Sequence, residues 1–390
     1  MTLPLPDPLA RAHSDALTTL LRQQINHAGG WLSFADYMQA VLYTPGMGYY
    51  SAGMTKFGES GDFVTAPELS PLFGQTLAQQ AAQILAEIPH GSILELGAGS
   101  GKLAVDMLQA LEQLGQLPIH YDILEVSAEL RQRQQITIEQ HLPHLAQRVR
   151  WLSALPEQFD GLILANEVLD ATAAHLVIWQ NGSIFEQGVT WHDQQFIWQP
   201  RPLTGGELLE IAQQLPPAQD LEVTGDRYLS EISLANRRLI RSLAEPLQQG
   251  VMLLIDYGFG EREYYHPQRC QGTLMCHYRH HAHDDPFYLP GLQDITAHVD
   301  FTAVAEMAQV TGLQLQGYTT QAHFLINCGI TDLLAHAPAD QPGSYLPLAN
   351  QVQRLVSPAE MGELFKVIAF SKSLDLPLQG FRRGDLQRLL

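Results

Sequence analysis

Residues 93–101 read Ile93-Leu94-Glu95-Leu96-Gly97-Ala98-Gly99-Ser100-Gly101, a short apolar run that breaks into glycines at every second position. The run has the length of a buried strand, and the segment after it, through Leu114, carries helical spacing. A glycine-rich turn between a strand and a helix presents backbone N–H groups and a positive helix end to a ligand. The spacing excludes two ligand classes that use such turns. A dinucleotide fingerprint needs a glycine at the sixth position from Gly97, where Lys102 stands. A phosphate-binding P-loop needs glycine at Leu96 and serine or threonine at Leu103.

The neighbouring segments extend the strand–helix reading. A second strand, Ile119 to Val126, contains Glu125 near its end, 28 residues after Gly97 and placed to accept hydrogen bonds from two ribose hydroxyls. A helix from Ala128 to His141 and strands Val149 to Leu152 and Gly161 to Ala165 continue the alternation. Such alternation predicts an α/β fold with a parallel, doubly wound sheet. Ligands of these sheets lie beyond the carboxyl ends of the strands. Asn166-Glu167-Val168-Leu169-Asp170 and Asp256-Tyr257-Gly258 occupy two such ends. The loop itself, acid-x-Gly-x-Gly-x-Gly from Glu95 to Gly101, resembles the first motif of class I S-adenosylmethionine (SAM) methyltransferases. SAM carries no phosphate, so glycines for close backbone approach and an acid near the amino-acid end suit it. The plainer alternative is a glycine-rich turn beside a surface acid.

Outside this Rossmann-like core, helices are expected from Ser14 to Ala28, Phe34 to Tyr43 and Pro71 to Glu87. His175 to Trp198 reads as a β-meander with a type I′ turn at Asn181-Gly182, followed by helices over Gly206 to Gln214 and Tyr228 to Leu247. Val251 to Asp256 resumes the sheet, an irregular segment rich in His, Tyr and Pro follows to Val299, and Leu313 to Tyr318 and Leu364 to Ser371 are the last strands. The expected division is an N-terminal helical extension and cofactor lid at 1–90, the first half of the core at 91–170, and a meander and helical insertion at 171–249. A core strand at 250–258, a His-rich insertion at 259–300 and the completion of the core at 301–390 follow.

Across 390 residues the chain has 22 Lys+Arg against 41 Asp+Glu, a formal charge of −19, which works against nucleic-acid binding. A hydrophobic content of 45% is enough for a sizeable core and excludes wholesale disorder. No run of 18 apolar residues occurs, so no membrane insertion is expected. Three cysteines without a CxxC pattern suggest a reducing compartment, and a cytoplasmic location is the expectation. His280, His283 and Asp284 offer metal-type ligands, but no evident helix or strand orders them, so no metal is expected; a substrate-facing loop of hydrogen-bond donors and a packed surface loop are the two readings that stay open.

The sequence resembles the MidA-like family, which includes the mitochondrial complex I assembly methyltransferase. The resemblance runs through Leu42-Tyr43-Thr44-Pro45, Gly48-Tyr49-Tyr50, the block Gly61 to Glu68, the glycine loop, Leu124 to Ser127, Asn166-Glu167 with Leu169-Asp170, and Asp256-Tyr257-Gly258. Gly272-Thr273-Leu274 and Asp294 to Phe301 extend it. It departs at Ala171-Thr172-Ala173, where Ala-Leu-Pro is expected. The resemblance implies a class I SAM-dependent methyltransferase and, for the mitochondrial relative, symmetric dimethylation of an arginine on a complex I subunit. It implies that Gly97, Gly99, Gly101 and Glu125, with Glu95 and Asn166, hold SAM, and that Asp62, Thr65 and Pro67 close over it. Glu167 and Asp170 would line the acceptor site and serve catalysis, with Asp256 beside them. The partner would be a protein bearing an arginine, and the meander offers a pairing surface for a homodimer. Two other functions stay open: a SAM-binding assembly chaperone with little methyl transfer, and a nicotinamide oxidoreductase, which Lys102 disfavours.

Overall fold

The computed structural model describes residues 3–52, 65–219, 227–337 and 342–390. Its central sheet runs through β1 (Ser92–Leu96), β2 (Tyr121–Leu124), β3 (Val149–Leu152), β4 (Phe159–Asn166), β5 (Leu247–Phe259), β6 (Gln314–Thr320) and β7 (Phe365–Lys372). The spatial order is β3-β2-β1-β4-β5-β7-β6. From β3 to β5 all neighbours are parallel, whereas β7 is antiparallel to both β5 and β6. The doubly wound α/β fold expected from the alternation is therefore present.

Residues of β4 and β5 alternate between two apolar clusters, Leu162, Leu164, Val251 and Leu253 on one face and Ile163, Ala165, Met252 and Leu254 on the other. A sheet covered on both sides requires this, and it explains why these strands read as unbroken apolar runs. Helices Pro71–Glu87 and Lys102–Gln113 cover the first face, and Leu234–Ala244 and Phe301–Val310 the second. Because β2 lies on one side of β1 and β4 on the other, the chain winds away in both directions there, leaving a crevice at the carboxyl ends of β1 and β4.

Around this core the structure differs from the sequence reading in three places. The first helix begins at Pro8, not Ser14, because the Asp7 side chain accepts from Leu9 N at 3.0 Å and Ala10 N at 2.9 Å and proline suits the first turn. Tyr228–Ile232, expected as the start of a helix, belongs to a strand, Arg227–Ile232, antiparallel to His175–Gln180, and the helix starts only at Leu234 behind Ser233. Its pairing partner lies some fifty residues earlier, beyond the reach of local periodicity. The segment 257–299 is less irregular than expected, since Met275–Tyr278 pairs with both His281–His283 and Asp294–Thr296. The meander is as read, with Asn181 and Gly182 at φ 50° and 73°, the signature of a type I′ turn.

The N-terminal helices, the meander and the small sheet share one core, in which Leu17, Phe34 and Tyr37 meet Leu176, Phe196, Cys276 and Ile295. Segments far apart in sequence thus form a single body at the mouth of the crevice. Among the described residues no helix is long and apolar enough to cross a membrane.

Candidate active site

Leu96 at the end of β1 pairs with Ala165 of β4, and beyond them opens a cavity of about 640 Å³, within the range of small-molecule sites. Gly97, Gly99 and Gly101 line or border it with φ of 60°, 53° and 85°, a backbone conformation that favours glycine. At Gly101 a Cβ would also lie 3.2 Å from Gln134 Cα, so the loop could not pass so close to its neighbour with a larger residue. Glu125, buried at the end of β2, accepts from Ser127 N at 2.8 Å and Gln134 Nε2 at 2.9 Å, which fixes its carboxylate on the cavity wall beside Leu124, Val126 and Leu130. Glu95 lies beneath the loop and accepts from the Tyr121 hydroxyl at 2.8 Å; burial lifts its carboxyl to about 7. Thr65 and Pro67 line the same cavity, and Glu68 accepts from Ser100 Oγ, tying the helix Ala66–Leu69 to the glycine loop. Asp62 lies outside the described residues.

The turn after β4 brings Asn166, Glu167 and Asp170 to the other end of the cavity. Glu167 has φ 53°, strained for a side chain other than glycine, and takes a hydrogen bond from Asn166 Nδ2 at 3.1 Å. Burial and the neighbouring Asp170 raise its carboxyl to about 8. Asp170 accepts from the Tyr257 hydroxyl through Oδ2 at 2.5 Å, while its buried Oδ1 and the Oδ1 of Asn166 have no hydrogen-bond partner among the described residues. Burial raises Asp170 to about 6 against the pull of that phenol.

Asp256, expected to join these two acids in catalysis, lies beside them but turns its carboxylate to the backbone and away from the cavity. It is fully buried, and its Oδ2 accepts from the backbone of Val168, Leu169 and Asp170 at 3.2, 2.9 and 3.2 Å. Its Oδ1 takes Tyr257 N at 2.9 Å. It shapes the turn that presents Glu167 and Asp170 and does not reach the cavity wall. Thr172, at the point of departure from the family pattern, bonds Leu169 O and Asn236 Oδ1, both at 2.9 Å, and so anchors the turn to the next helix, while Ala171 lines the cavity.

The wall also contains residues to which the sequence reading gave no role. Tyr43, Tyr50, Tyr257, Asp294 and His298 all fall inside the motifs that carry the resemblance, so their type was visible but not their convergence. His298 stacks on Phe259 with centroids 5.3 Å apart, and burial, then the charge of Arg269, hold it down at about 4. Arg354 carried no signal at all; it lies on the helix Pro342–Val356 and reaches the wall from the C-terminal part of the chain. In the His-rich segment His277 lines the cavity and His281 and His283 sit on the hairpin. Among the described residues no group of three or more His, Cys, Asp or Glu comes together to hold a metal.

A glycine cradle at a switch point, a fixed carboxylate at the end of the adjacent strand and polar atoms at the far end that lack partners among the described residues fit SAM. The fold and site define a class I SAM-dependent methyltransferase, with SAM as its cofactor. The chain belongs to a family described as S-adenosyl-L-methionine-dependent methyltransferases, whose sequence profile matches residues 76–319. It is 28% identical to the mouse mitochondrial protein arginine methyltransferase NDUFAF7, with 97% of this chain and 88% of that protein covered. The Drosophila melanogaster homologue is 29% identical over 93% of this chain and 87% of its own length. A Burkholderia thailandensis protein crystallised with S-adenosyl-homocysteine superposes with a TM-score of 0.94 at 50% identity, covering the whole of both chains. A native crystal structure from the same organism gives 0.93 at 49% identity, again with full coverage of both.

Proposed function

We propose that this methyltransferase modifies an arginine side chain of a protein. The carrying observation is the charge of the cavity: six carboxylates line it, from Glu68, Glu95, Glu125, Glu167, Asp170 and Asp294, and its one guanidinium among the described residues, Arg354, is already paired to Glu360 at 2.9 Å. Glu125 and Glu95 serve the cofactor end and Glu68 is bonded to Ser100 of the glycine loop, which leaves Glu167, Asp170 and Asp294 for an acceptor. Three acids facing one space, of which Asp170 and Asp294 are buried and Glu167 half-buried, call for a cation, and arginine stays cationic at every physiological pH. The names of the animal relatives support the same acceptor.

When bound, SAM supplies a methyl group already activated on sulfur. The backbone of Gly97, Gly99 and Gly101 and the side chains of Glu95 and Asn166 would hold its amino-acid end, Glu125 would accept from the ribose hydroxyls, and Thr65 and Pro67 would cover it. Arg354 offers the guanidinium that its α-carboxylate needs. Glu167 and Asp170 orient the acceptor guanidinium so that one nitrogen faces the methyl, and Asp170 takes the proton that this nitrogen loses as the new bond forms. Asp256 acts as a positioning residue for both.

The test is to incubate the purified protein and labelled SAM with lysate and identify the labelled residue by mass spectrometry; a subunit of the respiratory complex I type is the first acceptor to examine. Label on arginine is the expected result. Label on another residue type overturns the reading, and tight SAM binding without transfer favours the assembly chaperone.

A further inference from the structure

One part of the cavity wall serves neither the cofactor nor the Asn166–Asp170 turn. Tyr43 and Tyr50 come from the N-terminal extension and Asp294 from the small sheet, and all three line the cavity. Tyr50 donates its hydroxyl hydrogen to Asp294 Oδ1 at 3.0 Å, and Tyr43 donates to Ala171 O at 3.0 Å. The two rings stack, with centroids 5.5 Å apart and planes at 22°. Asp294 is only 2% exposed, so its carboxylate is held in place rather than free to swing. The Tyr43 phenol is pushed up by burial and then by the charges of Asp294, Asp170 and Glu125. Within the same cavity the buried Oδ1 of Asp170 has no hydrogen-bond partner among the described residues. The only imidazoles on the wall among the described residues belong to His277 and to His298, the latter held neutral.

We propose that Tyr43, Tyr50 and Asp294 determine acceptor specificity, seating the outer edge and face of a guanidinium whose inner edge meets Glu167 and Asp170, and so select arginine over lysine. The inference rests on the arginine reading above. A guanidinium is planar, carries five donors that point outward in its plane, and stacks on aromatic rings, so it can serve carboxylates on two sides while lying against a tyrosine pair. An ammonium is compact and strongly hydrated and cannot span the two groups of acids. Fixing the outer edge also fixes the plane, which keeps the reacting nitrogen aimed at the methyl. The Tyr50 hydroxyl holds Asp294 in advance, so little reorganisation accompanies binding.

The test uses the full-length protein saturated with S-adenosyl-homocysteine and two probes, methylguanidinium chloride and methylammonium chloride, at low millimolar concentrations, with thermal melting as the readout. Methylguanidinium is expected to raise the melting temperature of the wild type and methylammonium to leave it unchanged. Asp294→Asn and Tyr50→Phe should each weaken the methylguanidinium response by about tenfold, the scale of one hydrogen bond to a charged group, with S-adenosyl-homocysteine affinity by calorimetry preserved. If Asp294→Asn loses that affinity and so fails as a folded control, Tyr43→Leu carries the same test. A wild type indifferent to methylguanidinium overturns the arginine reading and this inference together. If the wild type responds and Asp170→Asn does not, yet the Asp294, Tyr50 and Tyr43 variants respond fully, the arginine reading stands and this inference falls.

Discussion

The Tyr257 hydroxyl donates to Asp170 Oδ2 across 2.5 Å, joining the end of β5 to the turn after β4. Burial drives Asp170 up to about 6, and the phenol opposes it by favouring the ionised form. Tyr257→Phe removes only the opposing influence, so Asp170 should titrate higher still. With Asp170 as the proposed proton acceptor, which must be ionised for transfer, the acid limb of kcat/KM should move to higher pH by about one unit. A limb that stays in place means another group governs it.

Arg354 is the candidate partner for the α-carboxylate of SAM, and its contribution is separable from the rest of the cofactor. Arg354→Gln should weaken binding of SAM and S-adenosyl-homocysteine by about tenfold, as for a charge-assisted hydrogen bond at an accessible position. Calorimetry with 5′-methylthioadenosine, which lacks the carboxylate, should show no change. Equal losses for all three ligands would place Arg354 elsewhere in the mechanism.

Glu167 gives the site a cost that grows with pH. Its carboxyl is raised to about 8 in the folded protein, against an unfolded value near the ordinary 4.5. Between those values the native state binds the extra proton, so stability from this group is lost as pH rises through that window. Glu167→Gln should therefore melt higher than the wild type at pH 8 and match it at pH 4. The free-energy difference should grow by at most about 1.4 kcal/mol per pH unit. A gap independent of pH between the two melting curves would contradict it.

Gly272 has φ 77°, and a Cβ there would lie 2.3 Å from Glu231 Oε1. That buried carboxylate accepts from Thr273 N, Thr273 Oγ1 and Leu274 N at 2.9 to 3.0 Å, and Thr273 Oγ1 in turn accepts from His298 N at 3.0 Å. Gly272→Ala should cost about 2–4 kcal/mol by denaturant titration, since it strains the backbone and displaces a buried charge from its donors. The expected signature is a lower midpoint with an unchanged slope.

How legible the site was depended on how local its causes are. The glycine loop, Glu125 and the Asn181-Gly182 turn were readable because each depends on a few consecutive residues. Arg227–Ile232 was not, because its strand character comes from pairing with His175–Gln180. Asp256 was correctly placed at a strand end, but its carboxylate faces the backbone of 168–170, a direction set by how the neighbouring turn closes. Tyr43, Tyr50 and Asp294 stood in recognisable motifs, yet they meet only once the extension and the small sheet fold together.

The position of β7 bears on how the chain acquires activity during synthesis. Its residues 365–372 emerge after every other strand, yet they lie between β5 and β6. A nascent chain that has exposed β6 but not β7 has no neighbour for β6 to join, and the cavity still lacks Phe365, which packs on Tyr257 at 5.4 Å. Residues 365–372 must therefore be synthesised before β6 can join the sheet and before Phe365 can complete the cavity wall, so competence should arrive only after that strand has emerged.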